Sequence, residues 1–401
     1  MEEEGRMKKI ATVTAGLLFA VAALAVAQTT DQVHTDHYRV TSQLGSQHAA
    51  EVAARLETMI QLYNRYFRFD LDSLPRPMRV RIFADRARFH DYLSATIGER
   101  RDDFVYLHYS DPARSELVAY DAPSPEFDYA LAHQSFIQYL RAFIPHPPLW
   151  LREGFAVYFE QSQYDHQSGT VTYRENLAWL DPLKKILDGR AAVAPLELGD
   201  MLVMDVEAAR ANLEVFYPQA WGMVSFLVNS EQRDINRLLW DSINALQPEA
   251  GLRENTERVY QRAFRWIDTD ALVEGFLAYI DSRRSFPELV TSGIEAFDNR
   301  SYDEAETLLL AATGIDAASH IPYYYLGLVN YERGNYEVAE VYYRQAIERG
   351  ATESLTYYAM GVNAYAANRH ADATRFLERS VTLEPERFGG RVEQLLSRMD
   401  G

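Results

Sequence analysis

Three glycines, Gly293, Gly327 and Gly361, stand 34 residues apart, and the residues around them repeat with the same period. Ala305, Ala339 and Ala373 recur at that spacing, as do Ala312, Ala346 and Ser380. Bulky partners keep step: Leu289, Tyr323 and Tyr357 before each glycine, then Leu309, Tyr343 and Leu377 after it. Few folds satisfy such a pattern. Small side chains let two helices approach closely, large ones fill the space between neighbouring hairpins, and each hairpin buries its apolar face only against the next copy. The spacing predicts an all-α stack of three helical hairpins over residues 286–386. Gly389-Gly390 and the helix-like run that follows predict a capping helix within residues 387–401.

This pattern resembles the tetratricopeptide repeat, and Pro385 falls where that family often ends a repeat. The resemblance implies a curved solenoid whose concave face is lined by the first helix of each pair. The family's groove-lining positions, carried onto this sequence, fall on Tyr324, Tyr358, Phe297, Tyr331, Tyr365, Ile294, Leu328 and Val362. Ten tyrosines lie between residues 323 and 365. Tyrosine combines a large contact area with a polar tip at low entropy cost, so such a groove suits an extended peptide or protein partner. Tyr323, Tyr343 and Tyr357 are expected to pack between repeats instead. The Lys/Asn set with which some members of the family clamp a carboxyl terminus is not present at these positions.

The chain has 401 residues, so the repeats leave room for a second folded unit, expected over residues 34–280. With 40 Lys+Arg against 58 Asp+Glu the formal net charge is −18, which argues against nucleic acid as a partner. The sequence has no cysteine, which excludes disulfides, thiolate metal sites and cysteine nucleophiles together. No G-x-G-x-x-G, Walker-type loop or G-x-S-x-G elbow appears. Local patterning predicts mixed structure: strands over 37–41 and 77–83, helices over 47–67 and 86–95, and a hairpin of 104–109 with 115–120. Two helices follow, over about 126–144 and 150–163, and the rest to 280 reads as mainly helical.

Those two helices carry the chemistry. The second reads Leu149-Trp150-Leu151-Arg152-Glu153-Gly154-Phe155-Ala156, the first Leu131-Ala132-His133-Gln134-Ser135-Phe136-Ile137. Downstream stands Phe216-Tyr217-Pro218-Gln219-Ala220-Trp221-Gly222. Together they resemble the gluzincin metallopeptidases of the peptidase MA-like branch, whose members often carry tetratricopeptide repeats after the peptidase-like domain. The resemblance implies an α+β zincin-like domain followed by an all-α tetratricopeptide-repeat solenoid. In that family a helix supplies two histidines at i and i+4, the next helix supplies a glutamate, and a second glutamate takes a proton from the metal-bound water. His133 matches the first ligand and Glu153 the third. Ile137 stands at the second-ligand position and has no lone pair to give. Gln134 stands at the general-base position, and an amide accepts no proton at neutral pH. Tyr217 matches a position where active relatives steady the transition state, with simple packing as the other reading.

The expectation is a pseudopeptidase, without cofactor, that binds or scaffolds a peptide or protein partner through the repeat groove. The alternative is an active zinc metallopeptidase with a rearranged site, using His133, Glu153 and one of His108 or His146. At the amino end, Lys8-Lys9 precede the apolar run from Ile10 to Val26, which closes on Ala25-Val26-Ala27. That order of basic, apolar and small residues predicts a signal peptide over residues 1–27, with Met1 or Met7 as the start and an uncleaved anchor as the alternative. Cleavage leaves no membrane span, and the protein is expected in the periplasm or outside the cell, in a bacterial envelope.

Overall fold

The computed structural model describes residues 31–399; the segment read as a signal peptide lies outside the described residues. The chain opens on a five-stranded mixed sheet of order β1-β2-β3-β5-β4. Its strands are β1 (Asp31–His34), β2 (Tyr38–Ser42), β3 (Met78–Phe83), β4 (Val105–Leu107) and β5 (Glu116–Tyr120). The centre, β2-β3-β5, is parallel, while β1 and β4 run antiparallel along the two edges. Parallel neighbours require crossovers. Helix α1 (Ser46–Phe67) makes the first and α2 (Arg86–Ile97) lies within the second.

Alternation along the strands assigns the two faces. Val40, Val80, Ile82, Leu117 and Ala119 join the main core, where α1 lays down the stripe Ala49, Val52, Ala53, Leu56, Ile60, Tyr63 and Phe67. Phe83, Val105, Leu107 and Val118 meet Phe89 and Leu93 of α2 in a smaller cluster. Helices α3 (Glu126–Phe143) and α4 (Leu149–Phe159) complete the main core through an aromatic block. Tyr63 packs edge-on to Phe136 at 5.3 Å, Phe67 to Phe155 at 5.0 Å, and Phe155 stacks on Phe159 at 5.6 Å. The expected second helix ends at Phe159, short of residue 163, because a hairpin of β6 (Gln163–Asp165) and β7 (Thr170–Thr172) follows at once.

Seven helices follow, of which α8 and α6 pack on α4: α5 (Leu180–Leu187), α6 (Leu198–Val203), α7 (Val206–Ala211), α8 (Leu213–Asn229), α9 (Arg233–Asn244), α10 (Leu252–Val259) and α11 (Thr269–Ser282). Helix α8 is the closest partner. A Cβ on Gly154 would stand 2.5 Å from the Ala220 carbonyl oxygen, so the glycine of the L-R-E-G-F segment answers to a helix crossing.

The repeats follow as three antiparallel pairs: α12 (Phe286–Asp298) with α13 (Tyr302–Ile315), α14 (His320–Glu332) with α15 (Tyr336–Glu348), and α16 (Glu353–Ala366) with α17 (His370–Leu383). The spaced glycines are where each pair touches. A Cβ on Gly293, Gly327 or Gly361 would come within 2.8 Å of Leu309, 2.4 Å of Tyr343 and 2.6 Å of Leu377 respectively. Ala305, Ala312, Ala339, Ala346, Ala373 and Ser380 are fully buried. Each turn also carries a left-handed residue at the same period, Arg300, Gly334 and Asn368. The residue after it donates its N–H back to Ala296, Asn330 and Ala364 in turn, which closes the helix end.

The final helix, α18 (Pro385–Met399), begins earlier than expected and runs straight through Gly389 and Gly390. Proline suits a first helical position, and burial of Phe388 and Val392 against Leu377 outweighs the poor propensity of the glycines. Its Phe388 continues the register of His320 and Ser354, so the cap is a fourth first-helix. The two units meet at a helix cap. Glu288 accepts from the Ser285 backbone N–H in a capping box and holds Lys184 of α5 at 2.9 Å. Among the described residues no helix is long and apolar enough to cross a membrane.

Candidate functional site

Helix α3 presents two rows of side chains, and they do different work. Gln134 and Gln138, one turn apart, tie the helix to the sheet. The Gln134 Oε1 accepts the backbone N–H of Tyr106 on edge strand β4 at 3.1 Å, and Gln138 donates to the Arg79 carbonyl of β3 at 2.8 Å. The neighbouring row, at the same i, i+4, i+8 spacing, is His133, Ile137 and Arg141.

His133 meets an acidic pair from α4 and its end. Its Nε2 lies 3.7 Å from Glu153 Oε2, in ion-pair range but longer than a hydrogen bond, and its Nδ1 lies 4.0 Å from Glu160 Oε2. Glu153 is held more tightly by its neighbour: Arg152 Nε donates to Oε1 at 2.7 Å and a terminal nitrogen lies at 2.6 Å from the same oxygen. Glu160 accepts from Asn176 Nδ2 at 3.0 Å. Tyr217 of α8 faces the cluster, its ring 6.5 Å from that of His133 and stacked on Trp179. Ile137 is 8% exposed and belongs to the core.

In this quartet of His133, Glu153, Arg152 and Glu160, neighbouring charges shift the proton affinities of His133, Glu153 and Glu160. Burial pushes the Glu153 carboxyl up, but the Arg152 guanidinium and then His133 outweigh it and hold the group down at about 2. His133 loses affinity for its proton through burial and regains more from Glu153 and Glu160, so its value is raised. Glu160 is raised by burial, against the pull of His133 and Asn176. The Tyr217 hydroxyl is pushed up by burial and then by the Glu153 charge. Glu153 is thus the carboxylate of the cluster, flanked by Arg152 and His133, and each of Glu153 and His133 favours the charged form of the other.

His108 and His146 sit elsewhere. Their rings meet edge to face at 5.9 Å, beside Arg141, and both imidazoles are driven toward the neutral form. For His108, at about 4, the causes are burial, then Arg141, His146 and Arg152. Among the described residues no three His, Asp or Glu side chains converge as a metal-binding group. Against the gluzincin ligand set, His133 and Glu153 are in place, Ile137 offers no donor at the second-ligand position, Glu160 Oε2 lies on the Nδ1 side of His133, and Arg152 pairs with Oε1 of Glu153.

In the repeats, all eight groove positions, Ile294, Phe297, Tyr324, Leu328, Tyr331, Tyr358, Val362 and Tyr365, are partly exposed. Tyr343 is buried and Tyr323 nearly so, while Tyr357 is half-buried and stacked on Phe376. All five rings at these positions touch another ring, with Phe297 against Tyr302 and Tyr325, Tyr331 against Tyr336, and Tyr365 against His370. Tyr358 stacks on Phe388 of the cap at 5.0 Å, and Tyr324 leans on Tyr343 at 5.9 Å.

Residues 131–245, which hold His133, Gln134, Ile137, Glu153 and Tyr217, match a family described as "Protein of unknown function (DUF1570)". No curated protein matches the chain. Among solved structures, one similar chain is described as "First TPR of Spaghetti (RPAP3) bound to HSP90 peptide SRMEEVD". It is 19% identical, the match covers 29% of this chain and 94% of that one, and the TM-score is 0.27.

Proposed function

We propose that this protein is an exported pseudopeptidase: a gluzincin-like domain without metal or hydrolytic activity, joined to a tetratricopeptide module that captures a peptide or protein partner in the bacterial envelope. The observation that carries the loss of catalysis is the use made of Gln134. Its side-chain oxygen is spent on the Tyr106 N–H, so the residue at the general-base position serves as a tie between helix and edge strand. The pairing of Glu153 Oε1 with Arg152 supports the same reading, since the guanidinium adds a positive charge beside the carboxylate that a metal ion would have to share. Partner capture is assigned to the groove because its partly exposed tyrosines keep a binding logic of broad rings with polar tips. Export rests on the order of basic, apolar and small residues up to Ala27.

Metal analysis with a peptide-cleavage assay tests the proposal. The purified protein should contain far less than one equivalent of zinc and leave unstructured peptides intact. Stoichiometric zinc that disappears in His133→Ala, with a matching loss of cleavage, overturns it.

A further inference from the structure

Beside the His133 quartet, and outside it, a cavity of 520 Å³ opens between the sheet edge and the end of α3. Its charged lining departs from the rest of the molecule. Arg76, Arg79, Arg141, His108 and His146 face it, against a single carboxylate, Glu249, on a chain of net charge −18. Arg79 is already satisfied by Glu116 and the Ala113 carbonyl. Arg141 is not: Nε donates to the Pro145 carbonyl at 2.9 Å, and the terminal amino groups have no partner among the described residues. The Nδ1 of His108 is likewise buried without a partner.

Those amino groups are open to a ligand that can accept from them. Burial, and then the nearby Arg152 charge, lowers Arg141 to about 10. The guanidiniums of Arg76, Arg79 and Arg141 around the two histidines would repel a metal ion and favour an anion. Two free amino groups on one planar fork suit the two oxygens of a carboxylate. The remaining wall mixes polar groups, among them Ser110, Ser115 and Gln138, with an apolar stretch of Leu74, Pro75, Met78, Pro112, Pro145 and Pro248. A volume of this size admits an organic molecule rather than a bare ion.

We infer that the cavity is a binding site for a carboxylate carried on an apolar body, with Arg141 as the carboxylate ligand and the proline-rich wall holding the body. The site is separate from the tyrosine groove, and it stands whether or not the His133 quartet proves to bind metal.

Titration calorimetry on the full-length purified protein tests it with four probes: N-acetyl-Leu-Tyr as free acid, the same dipeptide as amide, octanoate and inorganic phosphate. The dipeptide acid or octanoate should bind, and whichever binds more tightly identifies a peptide end or an acyl chain as the source. The amide should bind at least tenfold more weakly than the acid, about 1.4 kcal/mol. Arg141→Gln should lose about tenfold or more in affinity for the acid at unchanged melting temperature, with Arg141→Lys in between. Glu249→Gln should tighten binding by about twofold, since it removes the one opposing charge on the wall. Equal binding of acid and amide, phosphate binding as tightly as either acid, or no binding by any acid at millimolar concentration overturns the inference. The comparison of acid with amide uses the unaltered protein, so it decides the matter even where Arg141→Gln disturbs the bond to Pro145.

Discussion

Gly154→Ala puts the packing argument to its hardest test. The added Cβ would lie 2.5 Å from the Ala220 carbonyl oxygen, 2.7 Å from Val224 Cγ2 and 2.9 Å from the Ala220 carbonyl carbon. Two of those atoms are backbone, so no rotamer change relieves them. Restoring ordinary contact requires α4 and α8 to part by about 0.5–1 Å, a gap that forfeits a quarter to a half of the dispersion energy along the crossing. The crossing is dense, for Trp150, Phe155 and Val157 on one side and Trp221 and Val224 on the other are all nearly inaccessible to solvent. Overpacking of this kind costs about 3 kcal/mol, while replacing a helical glycine returns about 1 kcal/mol. The net expectation is a loss of about 2 kcal/mol, or roughly 4–8 °C in melting temperature for a unit of this size. Tryptophan fluorescence reports the correct unit, since Trp150, Trp179, Trp221, Trp240 and Trp266 all precede the repeats. Gly275→Ala in α11 is the control. The nearest neighbour of its added Cβ would be Phe226 Cζ at 3.4 Å, an ordinary contact, so it should be neutral or gain up to about 1 kcal/mol. If both variants melt with the parent protein, the close crossing does not explain the glycine.

Two further outcomes are expected. Tyr324→Ala with Tyr358→Ala should abolish capture of the groove's partner in a pull-down, and unchanged capture counts against the groove; because Tyr358 also packs on Phe388, the single Tyr324→Ala variant is the cleaner comparison. The quartet should also leave a signature in acid. Glu153 titrates at about 2 folded against 4.5 unperturbed, so its contribution is complete above pH 4.5 and disappears as pH falls toward 2. His133 is raised, so its contribution is complete below 6.5 and fades as pH rises through the folded value. The two together stabilise most between about pH 4.5 and 6.5, by about 3 kcal/mol for the Glu153 part, and Glu153→Gln should flatten the acid limb of a stability–pH curve. An acid limb unchanged in that variant would show that other carboxylates dominate.

Local spacing made some of this legible and distance hid the rest. The 34-residue period stands in the sequence because Gly293, Gly327 and Gly361 each meet a bulky residue sixteen positions on, within one hairpin. The equally periodic left-handed turn is not evident in the sequence because Arg300 and Asn368 take the conformation that only Gly334 advertises. The β6–β7 hairpin was hidden by its polar, solvent-facing strands, which lack the alternation that marks a half-buried sheet. At the site, the i, i+4 positions of α3 identify His133, Gln134 and Ile137 directly. Nothing in the spacing indicates that Gln134 reaches a backbone group 28 residues away, or that His108 and Arg141 share a cavity.

The quartet and the cavity also bear on each other. A buried cluster of four ionisable groups is seldom the most stable filling for a core, since apolar side chains of similar volume often do as well or better. Its consequence here is electrostatic. Glu153 engages Arg152 through two short contacts and neutralises it, while Arg141, two turns from His133 on the same helix row, is left with only a backbone carbonyl. Of two neighbouring guanidiniums, one is bound within the protein and the other remains available. Glu153 thus pairs Arg152, which does not line the cavity, and leaves Arg141 as the guanidinium at the end of α3 that the proposed carboxylate would meet.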